Sequence, residues 1–99
     1  MVIIGKISFP PESAKEIGKC FSKLPPLPDY MTMKGPYVRG MMKRGILGME
    51  IFELNNDKLA KGLEYVTNRY STYFGIPGFK YNIAPYTETY EALKIIGLG

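Results

Sequence analysis

"PYVRGMMKRGILGMEIFEL", Pro36 to Leu54, reads as two strands joined by a tight turn, and it carries two opposite charges, Arg39 and Glu50, inside an apolar pattern. The first strand runs from about Met31 to Met42, with a bulge or bend expected at Gly35-Pro36 because proline cannot donate to a ladder. Lys43-Arg44-Gly45 makes the turn, and the second strand runs from Ile46 to Leu54. A turn of two or four residues would put Tyr37, Arg39 and Met41 on one face with Ile46, Gly48, Glu50 and Phe52, so that the charges meet. A three-residue loop with Gly45 in the left-handed conformation would reassort the faces and part them. Gly45 argues for the second register. Charge pairing and the apolar set Val38, Leu47, Met49 and Ile51 argue for the first, which we adopt. Helices then cover Val38, Leu47, Met49 and Ile51, while Arg39 and Glu50 face away, with Gly40 and Gly48 leaving space beside them. A buried, unpaired charge is costly, so opposite charges on facing strands are best kept in one environment, wet or mutually paired.

Working outward, "VIIGKISF", Val2 to Phe9, is β-branched and apolar and stops at Pro10-Pro11, the pattern of a strand. Pro11 suits a first helical turn, and Ala14, Ile17, Phe21 and Leu24 then recur at helical spacing with Cys20 on the edge of their stripe. Three prolines in "PPLPD" end that helix. Asn56 is the expected N-cap of a second helix, along which Leu59, Leu63, Val66, Tyr70 and Tyr73 recur to about Phe74. Phe79 to Tyr86 alternates as a fourth strand ending at Pro85-Tyr86, and Glu88 to Ile96 suggests a short closing helix stopped by Gly97.

Strand, helix, strand, strand, helix, strand is the ferredoxin-like βαββαβ order, an α+β fold. It implies an antiparallel four-stranded sheet with two helices on one face and the other face open. Something must cover that open face, which we expect to include Val2, Ile4 and Phe52.

The chain resembles the dimeric α/β-barrel superfamily along its whole length, from "VIIGKISF" through "NNDKLAKGLEYVTNRYSTYF" to "IAPYTETYEALKIIGLG". The last stretch, a strand ending in proline before a short "EAL" helix, looks like that of small uncharacterised members. The resemblance implies one domain over residues 1–99 and a homodimer in which two sheets close face to face into a barrel. Members include cofactor-free monooxygenases, isomerases, haem enzymes, amino-acid-sensing domains and stress-related proteins, so the fold decides little about chemistry. The chain has no histidine, which removes the usual haem ligand and the commonest acid-base group.

Composition narrows the partners. The 99 residues suit one domain, short enough that association would help its stability. The net charge of +4 is spread from Lys6 to Lys94, a solvated surface more than a nucleic-acid footprint, so we expect no nucleic-acid partner. A single cysteine allows no internal disulfide and makes a reducing, cytoplasmic setting the default. The apolar run before Lys6 is too short for a signal peptide, and no stretch approaches a membrane span.

The site candidates are Tyr37, Arg39, Glu50 and Tyr86, which would line the barrel and bind a small aromatic or anionic molecule. The plain alternative for Arg39 and Glu50 is a cross-strand ion pair worth about 0.2–1 kcal/mol. Tyr70 and Tyr73 fall on the core stripe, and Tyr90 packs near the tail. Met31, Met33, Met41 and Met49 alternate as packing residues without Cys, His or paired carboxylates, so neither a metal nor a cofactor is expected. Cys20 has no His partner and reads as an inert thiol, and the glycines match no phosphate loop. The readings carried forward are a small-molecule-binding homodimer, a cofactor-free monooxygenase or isomerase, and a structural or regulatory interaction protein without a ligand.

Overall fold

The chain runs β1 (Val2–Phe9), a 3-10 turn (Pro11–Ser13) entering α1 (Ala14–Ser22), β2 (Met31–Met41), β3 (Gly45–Leu54), a 3-10 turn (Asn56–Lys58) entering α2 (Leu59–Ser71), β4 (Lys80–Tyr86) and α3 (Thr89–Ile95). These elements come from a computed structural model that describes residues 1–43 and 45–98. The strands form one antiparallel sheet in the order β2-β3-β1-β4, so the architecture is α+β with three helices. Among the described residues no helix is long and apolar enough to cross a membrane.

Side-chain alternation sends Ile3, Gly5, Ile7 and Phe9 of β1 to one face, and their partners Phe52, Glu50, Gly48 and Ile46 of β3 follow them. That face carries the core. Ile3, Phe52, Met31, Val66 and Tyr70 form one buried cluster beneath α2, with Leu63 packed against it, and Phe9, Ile17 and Tyr73 form a second where α1 joins. The apolar stripes of both longer helices therefore meet the same side of the sheet, as their spacing requires.

Several expectations need correction. Met41 pairs with Gly45, whose φ is +84°, so the hairpin has the three-residue loop and not the two- or four-residue turn we adopted. Arg44, placed in that turn by the sequence, lies outside the described residues. This register turns β3 over. Leu47, Met49 and Ile51 lie on the open face, while Glu50 and Phe52 lie under the helices, with Phe52 at 0% exposure. Val2, Ile4 and Arg39 do belong to the open face; Val38 faces the helix side but is not covered, being 66% exposed. The expected bulge in β2 falls between Lys34 and Tyr37.

Asn56 is not a side-chain cap; Asn55 is the extended residue before the turn, and no side-chain cap bond forms there. The Asn56 amide instead accepts from the Met1 amino group at 2.7 Å and donates to Glu91 at 2.9 Å. These bonds hold the Glu91 carboxyl down to about 2, the Met1 amine contributing most. Glu91 also completes a capping box with Glu88 at the start of α3. Beyond this anchor α3 stands away from the body, leaving Tyr90, Ile95, Ile96 and Leu98 exposed.

The result is an extended molecule. Its radius of gyration is 15.1 Å, against about 13 Å for a compact domain of this length. It exposes 6659 Å², where a compact monomer of its mass exposes about 5,700 Å².

Candidate functional site

The four residues singled out by the sequence do not converge. Tyr37 and Arg39 sit on the open face of edge strand β2, opposite Met49 and Leu47. Tyr86 sits on the same face at the other edge, beside Val2. Glu50 alone is on the covered face. Its expected pairing with Arg39 fails because adjacent strands bring the two side chains to opposite sides of the sheet.

Glu50 is nonetheless the centre of a built site. It is only 8% exposed, and its Oε1 accepts a hydrogen bond from the Tyr70 hydroxyl at 2.8 Å. Tyr70 arrives from α2 across β1, where Gly5 lies directly opposite Glu50. A Cβ at Gly5 would overlap the Tyr70 hydroxyl, so only glycine lets the phenol lie flat on the strand and reach the carboxylate. Burial, then the charge and hydrogen bond of Glu50, push the Tyr70 hydroxyl well above the usual phenol range. Tyr70 therefore keeps its proton and is a fixed donor to Glu50.

A cleft of about 220 Å³ opens beside this pair, between α1 and the β2–β3 half of the sheet. Its walls are largely apolar, including Ile17, Phe21, Val38 and Gly48, and its polar lining residues are Glu50 and Tyr73. Tyr73 is 3% exposed. Burial first, and Glu50 second, push its hydroxyl up to about 12, so it too remains a neutral phenol. Beyond the Tyr70 bond, no hydrogen bond to the Glu50 carboxylate forms among the described residues, and the Tyr73 hydroxyl has none. One carboxylate and one phenol thus retain hydrogen-bonding capacity at an apolar cleft.

Arg69 adds an unanticipated charge on α2, one turn before Tyr73. It is 8% exposed, and its Nε is buried without a hydrogen-bond partner among the described residues. Its positive charge draws both phenols down, but less strongly than burial raises them. Cys20 is half-buried, its thiol donating to the Thr72 carbonyl oxygen at 3.3 Å. Among the described residues no group of three or more metal-ligating side chains gathers.

Sequence reasoning found Glu50 but assigned it the wrong surroundings, and it treated Tyr70 and Tyr73 as packing alone. The available signal was Gly5, a glycine inside an otherwise β-branched strand, which marks close approach by another group. No family model matches the chain, and no curated protein is found similar to it.

Proposed function

We propose that this chain is one subunit of a ferredoxin-like homodimer of the dimeric α/β-barrel type, and that it binds a small aromatic hydrogen-bond donor in the Glu50 cleft. The observation that carries the ligand reading is Glu50 itself. Glu50 is 8% exposed and takes one donor from the protein, Tyr70, so its remaining acceptor capacity lies open to an apolar cleft that a phenol or aromatic amide would complement. The cleft exceeds the roughly 150 Å³ that suffices for benzene, so a single substituted ring fits. Beside an ionised carboxylate an anionic ligand is disfavoured, which selects the aromatic over the anionic half of the original expectation.

The dimer reading rests on the open sheet face. Ile4, Leu47, Met49 and Ile51 form a half-buried apolar centre on that face, outside both core clusters beneath the helices among the described residues. A second copy supplies a matching apolar sheet by symmetry.

The carboxylate is also the cleft's one candidate general base, which favours a cofactor-free isomerase as the second reading. The test is a titration with phenol and with benzoate, followed by amide NMR shifts. Phenol is expected to shift Ile17, Gly48, Glu50 and Tyr73 and benzoate to bind more weakly, with the preference lost in Glu50→Gln. Equal binding of the two, or shifts confined to the open face, would overturn the ligand reading.

A further inference from the structure

The strand registers define the open face as rows running from β2 to β4. Arg39, Leu47, Ser8 and Lys80 form one row, and Tyr37, Met49, Lys6 and Asn82 form the next. The ends of each row are about 14 Å apart, three strand spacings. Lys6 and Lys80 are diagonal neighbours on β1 and β4, about 7–8 Å apart at the backbone, close enough for their side chains to converge on one group. Ser8 and Asn82 stand beside them with a hydroxyl and an amide. The one acidic residue in the four strands on this face, Glu53, is already paired with Lys34 at 3.6 Å. Lys6, Arg39 and Lys80 have no ion-pair partner among the described residues.

Resting on the dimer reading above, we propose that the space between the two open faces is a site for a multivalent oxyanion, of the pyrophosphate or phosphate-ester class, and that this anion couples to assembly. Stacking two copies brings six uncompensated cations, three from each face, towards a single low-dielectric layer. The apolar centre draws the faces together, while like charges at close range oppose the contact. An oxyanion held by Lys6, Lys80, Ser8 and Asn82 offsets the share of that opposition due to Lys6 and Lys80 and leaves the apolar contact intact. Assembly and anion binding are then linked reciprocally: whatever tightens one tightens the other by the same factor.

Sedimentation equilibrium of the full chain, with sodium pyrophosphate against sodium chloride at matched ionic strength, tests this. Pyrophosphate is expected to lower the dimer Kd by about tenfold, whereas the double variant Lys6→Ala/Lys80→Ala should dimerise more tightly than wild type without pyrophosphate and ignore the anion. A far-ultraviolet spectrum and a urea melt establish that the variant is folded. A wild-type dimer indifferent to pyrophosphate overturns the anion site and leaves the dimer standing. A monomer under every condition overturns both. Capture of a single-stranded oligonucleotide by the monomer, with Tyr37 and Tyr86 protected from modification, makes the face a nucleic-acid surface and overturns the anion site as well.

Discussion

Tyr70→Phe removes one oxygen atom and isolates the Glu50 carboxylate. In the wild type that carboxylate is 8% exposed and takes its donor from Tyr70 at 2.8 Å. The space vacated is smaller than the ~30 Å³ share of a water molecule, so solvent does not readily replace the phenol. Removing one partner of a hydrogen bond to a charged group costs about 1.5–3 kcal/mol. In urea that is a fall in midpoint of about 1–2 M at the m-value usual for this size. The assay is a urea melt at fixed micromolar protein concentration, because any self-association would contribute to apparent stability. Glu50→Met should also destabilise, since it strands the Tyr70 hydroxyl. Replacing both partners with apolar groups of similar shape is close to neutral, so the double variant Tyr70→Phe/Glu50→Met should come within about 1 kcal/mol of wild type. A Tyr70→Phe cost below about 0.5 kcal/mol, or strictly additive losses in the double variant, would refute the buried pair.

Gly5→Ala should cost at least about 3 kcal/mol in the same melts, because its Cβ displaces the Tyr70 hydroxyl and the bond to Glu50 goes with it; Tyr70→Phe in the same chain should recover part of the loss. Arg69→Met should raise stability by about 1 kcal/mol or more, since it removes a buried cation whose Nε has no partner, and a loss of similar size would point to a counter-ion for Arg69. Tyr73 titrates near 10 when unfolded and at about 12 when folded, so the folded state holds its proton more tightly. Its contribution is fully present below pH 10 and lost as pH rises towards about 12, and Tyr73→Phe should flatten that alkaline decline.

The order of strands and helices was legible because proline and glycine mark nearly every boundary, and because Leu63, Val66, Tyr70 and Tyr73 repeat at helical spacing. The facing of β3 was not. Leu47, Met49 and Ile51 are as apolar as the true inner set Ile46, Phe52 and their neighbours, so alternation could not tell core from open face. That ambiguity has a physical source, since two faces of equal apolarity leave no alternation for the pleat to sort. Gly45 held the deciding signal, and weight given to charge pairing overrode it. The donor to Glu50 proved to be a phenol 20 residues away on a helix, outside the reach of any strand-pairing rule. Arg69 was hidden for a related reason: a basic residue on an otherwise amphipathic helix reads as solvated surface until packing is known.

The most direct test of the Glu50 cleft is a crystal grown with 4-bromophenol and measured at the bromine absorption edge. The expected result is one anomalous peak per chain between α1 and the β2–β3 half of the sheet, with the ligand hydroxyl within hydrogen-bond distance of the Glu50 carboxylate. A peak on the open face beside Arg39 and Tyr37, with the Glu50 cleft closed, would contradict the account.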